Sequence, residues 1–194
     1  MPLVQHTYNR VASPSYVAGV TLAEAKAHLN ITGSYDDTMI SSLCVAASQL
    51  CEQWTWRAFV DSNFLLYLSD TPIEFYICKC PINTITSVKY YNTSEVLTTL
   101  VLGTDYIIGL ESEPAVLRFL TQPNLSTKKI YPVVIEMNSG WVNEATVPAV
   151  IKQAILICVA NMYEMRTDNI VGVSSTEIPL PSQMLLANQR VNIY

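Results

Sequence analysis

Val20 to Phe59 reads VTLAEAKAHLNITGSYDDTMISSLCVAASQLCEQWTWRAF, and this stretch decides the helical half of the fold. Thr21 precedes Leu22, and Glu24 stands three residues on. At that spacing a hydroxyl takes a first-turn amide and a carboxylate reaches back. The pattern predicts a short helix to about Leu29, with Leu22, Ala25 and Leu29 on one face and Gly33 in the turn after it. Asp36 or Asp37 is expected to cap a second helix. Its apolar positions, Ile40, Leu43, Cys44, Ala47, Leu50, Cys51 and Trp54, recur at helical intervals. Ser41, Ser42, Ser48, Gln49 and Gln53 occupy the opposite face, and the helix is expected to end near Thr55 to Arg57.

From Asn63 onward the period changes to two, or to short continuous apolar runs. Phe64–Leu68, Ile73–Cys78, Ile85–Tyr91, Val96–Leu102, Asp105–Gly109, Val116–Leu120 and Val133–Met137 each read as a strand. Thr71-Pro72, Pro81 and Asn92-Thr93-Ser94 mark turns, so a small antiparallel, meander-like system is expected.

Thr146, with Pro148 at the first helical position, then opens a second long helix. Val150, Ile151, Ala154, Ile155, Ile157, Cys158 and Met162 cover more than one of its faces. That pattern suits a central helix or one packed between subunits. Residues 1–19 are polar and irregular, with Pro2, Pro14 and Gly19. Residues 167–194 turn polar again, with apolar anchors at Met184-Leu185-Leu186 and Val191 to Tyr194.

The fold class expected is therefore α+β. A helical bundle of two N-terminal helices plus a long C-terminal helix is interrupted by a small antiparallel β insert, with extended N- and C-terminal arms. The boundaries read as an N-terminal arm over 1–19, a helical body over 20–60 and 146–166, a β insert over 61–145 and a docking tail over 167–194. The core and subunit packing are expected on Ile40, Leu43, Ala47, Leu50, Trp54, Ile151, Ile155, Cys158 and Met162.

Of the 194 residues, 50% are hydrophobic and only 14% charged, against roughly 25% charged in an average globular chain. So few charges leave apolar surface that another subunit is expected to cover. The net charge is −5, and the only adjacent basic pair is Lys128-Lys129. That balance argues against gripping a nucleic-acid backbone, which takes clustered Lys and Arg. The tyrosines and tryptophans lack interleaved basic residues and are expected in packing and interfaces rather than as base-stacking platforms. No run resembles a bilayer span, which takes about 20 mostly apolar residues. The opening MPLVQHTYNR lacks the apolar centre of a secretory signal, so folding in a cytoplasm is expected.

The residues offer little for catalysis. Cys44 and Cys51 lie two turns apart on one helix, about 10 Å at about 1.5 Å per residue, too far for a disulfide. They and Cys158 read as small buried apolar residues. Cys78-Lys79-Cys80 is expected to place two thiols on one face of a strand, but a metal site needs two more ligands, and the chain has only His6 and His28, both distant in sequence. His28, late in the first helix, complements the helix dipole. No phosphate loop or nucleophile elbow is present. No enzymatic activity, metal or cofactor is expected.

The ordered landmarks resemble the head–tail connector (adaptor, or head-completion) proteins of tailed double-stranded-DNA bacteriophages. The matching residues begin with Val20–Leu29, Asp36-Asp37, Ile40–Cys51 with Glu52, and Trp54-Thr55-Trp56-Arg57-Ala58. They continue with Cys80-Pro81-Ile82, the Ser87–Tyr91 strand, Asp105-Tyr106 and Ser139-Gly140. They end with Val147–Ala154, Tyr163–Arg166, Leu185-Leu186 and Arg190. Trp56 stands where the family's helix-ending motif usually has glycine. The resemblance implies a closed ring of about twelve copies beneath the portal, with double-stranded DNA passing through its channel without specific binding. It implies a tail-side stopper or tail protein as a further partner, no membrane, and a place at the head–tail interface of a virion assembled in the host bacterial cytoplasm. It also implies that the C-terminal tail clamps the portal, through Ile178, Leu180, Met184, Leu185, Leu186, Arg190, Ile193 and Tyr194. Arg166 and Arg190 are candidates for ion pairs between subunits with Glu164, Asp168 or Glu177.

Two other readings stay open on the residues alone. One is a small-ligand or carbohydrate-binding module with a helical base. The other is a hydrolase with a non-standard Cys–His site built on His28.

Overall fold

Alternating apolar residues in the middle of the chain build two antiparallel sheets. The computed structural model describes residues 4–11, 16–165 and 180–191. It divides into a β unit, residues 4–11 and 61–140, and a helical unit, residues 16–60, 141–165 and 180–191.

In the β unit the strands are β1 (His6–Arg10), β2 (Ser62–Leu68), β3 (Glu74–Ile77), β4 (Ile82–Tyr91), β5 (Leu97–Thr99), β6 (Tyr106–Gly109), β7 (Ala115–Phe119) and β8 (Val133–Ser139). One sheet runs β1-β2-β8-β4-β5 and the other β3-β7-β6. Register aligns the buried residues. Phe64, Leu66 and Leu68 of β2 face Met137, Ile135 and Val133 of β8, and Val88 of β4 meets Ile135 from the other side. Side chains alternate across a strand, so the other face of this sheet carries Leu65, Tyr67, Lys89, Val134 and Glu136. In the smaller sheet Phe75 and Ile77 of β3 pair with Leu117 and Ala115 of β7, and Tyr106 pairs with Phe119.

Two expectations about this half change. The β part is not a small insert, because it holds eight strands in two sheets among the described residues. Nor are residues 6–10 an extended arm: they form edge strand β1, paired with β2 from His6↔Leu68 to Arg10↔Phe64. An edge strand is held by backbone bonds and needs no apolar alternation. Side chains add to it. Arg10 lies over the Phe64 ring at 5.1 Å, His6 meets Phe75 edge-on at 5.4 Å, and the Cys78 N–H donates to the Tyr8 hydroxyl at 3.2 Å.

The helical unit holds α1 (Leu22–Leu29), α2 (Asp37–Thr55), a 3-10 turn (Glu144–Thr146), α3 (Ala149–Glu164) and α4 (Leu180–Ala187). The capping box on α1 is formed: Thr21 Oγ1 accepts from the Glu24 N–H at 3.1 Å, and Glu24 Oε2 accepts from the Thr21 N–H at 2.7 Å. The second helix starts differently from expectation. Asp36 holds the N-cap position without a side-chain cap bond, and its Oδ2 accepts from the Tyr163 hydroxyl at 2.7 Å; Asp37 pairs with Lys26 at 2.6 Å. Thr146 likewise closes the 3-10 turn with Asn143, and Pro148 is the residue before α3 rather than its first.

The core of this unit gathers Ala25, Ile40, Cys44, Ala47, Cys51, Phe59, Ile151, Ala154, Ile155, Cys158 and Leu186. Gly19 sits against it, where a Cβ would come within 2.9 Å of Ile155 Cδ1. Residues 180–187 are therefore not part of an extended tail. They form a helix whose Leu186 is fully buried and whose Ser182 hydroxyl donates to the Ala154 carbonyl at 3.1 Å. Pro181 falls in the first turn of α4, where no intrahelical N–H bond is lost.

Candidate functional site

The residues expected to pack the helical body fall into two sets. Ile40, Ala47, Ile151, Ile155 and Cys158 are buried, while Leu43, Leu50, Trp54 and Met162 are half-buried against that core. Of the expected docking tail, Ile178, Ile193 and Tyr194 lie outside the described residues, as do Arg166, Asp168 and Glu177. Leu180 opens α4. Met184 is 77% exposed, Leu185 is half-buried on the core, and Arg190 stands over the Trp54 ring at 5.7 Å.

Two buried charged residues fix the end of α2 beyond what spacing alone indicates. Glu52 accepts from the Phe59 N–H at 2.6 Å, and the Arg57 guanidinium donates to the Gln189 carbonyl. Between them Trp56 adopts a left-handed conformation at φ 59. This is the position where the sequence departs from the usual glycine, and a non-glycine residue there carries a backbone cost of about 1–2 kcal/mol. The Val191 N–H also bonds to the Thr55 carbonyl at 3.0 Å, so the chain after α4 returns to the same corner.

The thiols differ in their surroundings: burial raises Cys78, whereas the hydrogen bonds with Cys51 and Ser182 lower Cys158 to about 7. All five cysteines are buried. Burial pushes the Cys44 thiol up to about 11. The hydrogen bond with Cys158 at 3.9 Å, together with burial, pushes Cys51 up further. Among the described residues no three His, Cys, Asp or Glu side chains come together to hold a metal ion, and no helix is long and apolar enough to cross a membrane. His28 is exposed on α1.

What the β unit does present is surface suited to contact. The outer face of the smaller sheet carries Tyr76 and Ile107, 45% and 41% exposed, beside the Glu74–Arg118 ion pair. Ile73, Leu102 and Leu120 add further exposed apolar area at its margins. Single exposed apolar residues are ordinary, and here several lie around one small sheet.

On the larger sheet, the face opposite the buried one is hollowed into a groove of about 600 Å³. Leu65, Tyr67, Val134 and Leu97 line it, with Tyr91 and Tyr131, and Lys128, Lys129 and Ile130 belong to its wall. Lys129 Nζ stands 4.1 Å from the centre of the Tyr91 ring. Inside it Glu136 accepts from the Ser87 hydroxyl at 2.7 Å and pairs with Lys89 at 2.9 Å. Those two donors hold its carboxyl below the ordinary range. Only the Lys128-Lys129 pair hinted at this groove in the sequence, because its other residues come from strands brought together by register.

No protein-family model matches the chain, and no curated protein sequence matches it. Solved structures do. A chain in the neck of an empty gene transfer agent (GTA) particle, computed with C6 symmetry, superposes with a TM-score of 0.78 at 21% identity, covering 97% of each chain. A chain from the virion of a native GTA particle gives 0.76 at 22% identity over 96% of each. A chain in the neck of a native GTA particle, computed with C12 symmetry, gives 0.74 at 21% over 97% of each. This chain therefore shares, along nearly its whole length, the fold of proteins found in the necks and virions of gene transfer agents.

Proposed function

We propose that this chain is a structural, non-enzymatic protein of the head–tail junction of a phage-like particle. It acts as a connector: copies form a ring under the portal, join it to the tail-side stopper or tail protein, and leave a channel for double-stranded DNA. It resides in the virion at the head–tail interface and assembles in the host cytoplasm. The observation that carries this reading is the fold shared end to end with chains of particle necks. The low charge content and the exposed apolar residues of the smaller sheet agree with it, since a ring subunit keeps apolar area for its neighbours. The net charge of −5 suits a channel that lets DNA pass without holding it. In this reading the exposed side of α4, with Met184, and the residues flanking that helix meet the portal.

Light scattering on the purified chain, with and without its cognate portal, tests the reading. A closed ring, or a monomer that assembles on the portal, is expected. A monomer indifferent to portal at every concentration refutes it.

A further inference from the structure

We infer that the groove on the larger sheet receives the β6–β7 tip of a second copy of this chain. The inference deepens the ring reading above and rests on it. The groove joins an apolar floor, Leu65 and Val134, to a wall bearing Lys128 and Lys129, so it suits an apolar residue followed by carboxylates. The chain carries such a segment. Leu110 is 40% exposed at the tip after β6, and Glu111, Ser112 and Glu113 follow it, all exposed. Groove and tip are different patches, so their contact is head-to-tail, and repeating one head-to-tail contact closes a ring when the rotation allows. Ile107, on the strand that leads into the tip, is also exposed. Double-stranded DNA fits the groove less well. Glu136 stands among the lysines, and an apolar floor offers nothing to a phosphate backbone.

Crosslinking tests this directly. The native cysteines are buried, so a short bis-maleimide reads only introduced, exposed thiols. Full-length Leu110→Cys protein mixed with Ile130→Cys protein should give covalent pairs, and neither variant alone should. As an independent check, Lys128→Glu/Lys129→Glu and Glu111→Lys/Glu113→Lys should each weaken self-association about tenfold, and mixing the two should restore it. If the wild type assembles but the mixed pair neither crosslinks nor restores association, the inference falls and the ring reading stands. If lysine reversal leaves assembly intact and instead abolishes retention of a duplex oligonucleotide, the groove is a DNA surface and the inference is overturned. If the wild type forms no assembly, alone or with portal, the ring reading falls and takes the inference with it.

Discussion

Glu24 does two tasks at once. One carboxylate oxygen completes the Thr21 cap, and the other takes Lys152 Nζ at 2.7 Å, joining α1 to α3. Burial opposes its ionisation, but Lys152 and the Thr21 amide and hydroxyl outweigh that and hold the carboxyl below 4.5. A depressed carboxylate stabilises the fold above its ordinary value, and that stability is lost as pH falls through the lowered one. Glu24→Gln should therefore cost about 0.5–1 kcal/mol near neutrality, discounted for partial exposure. The gap to wild type should close in denaturation curves as pH falls through that lowered value; a constant gap would refute the assignment. At Gly19 the question is space. Gly19→Ala should destabilise by about 1–3 kcal/mol through contact with Ile155 Cδ1. Combined with Ile155→Val, which removes that atom, the loss should be less than the sum of the two single changes. Of these two residues, Glu24 was legible from the Thr-x-x-Glu spacing. Gly19 was not, because its constraint comes from an atom on the distant helix α3.

Helix α4 is the element that most changes the sequence-based picture. Its apolar residues Met184, Leu185 and Leu186 read as anchors for a partner, yet Leu186 fills the chain's own core while Met184 points outward. Leu186→Ala should cost about 2–5 kcal/mol in a thermal or urea melt, and Met184→Ala should stay within about 0.5 kcal/mol. Equal effects would mean that α4 is not packed as described. Deleting residues 176–194 would spare the fold if they were only a docking tail, but it should instead loosen the helical unit. It removes Leu186, the Ser182–Ala154 bond and the backbone bond of Val191 to Thr55. Local pattern was a good guide where it was strong. Alternation located β2 and β8, and the helical stripe located α2, because each buries one whole face. It failed for β1, whose HTYNR has no alternation and is held through backbone pairing and the Tyr8 hydroxyl. It failed for α4 because two turns, with a proline before the helix and another in its first turn, carry too little period to separate helix from tail.

At the scale of the whole molecule the decisive quantity is the apolar surface left outside both cores. Ile73, Tyr76, Ile107 and Leu120 are exposed around the smaller sheet, although the side chains on its other face, Phe75, Leu117 and Phe119, are buried. Nothing in the fold of the β unit requires the outer set to be apolar. Charged side chains there would increase solubility, so their apolar character fits the partner surface proposed above. This makes folding and assembly separable. Tyr76→Lys/Ile107→Lys should melt within about 1 kcal/mol of wild type, since surface substitutions of this kind change stability little. The same variant should fail to reach the assembled mass in light scattering, or should need a much higher concentration, because each buried Lys loses its hydration without a partner charge. A lysine pair that leaves both melt and assembled mass unchanged would show that this face stays in water, and the assembly surface would then lie elsewhere, at the groove and β6–β7 tip or on the helical unit.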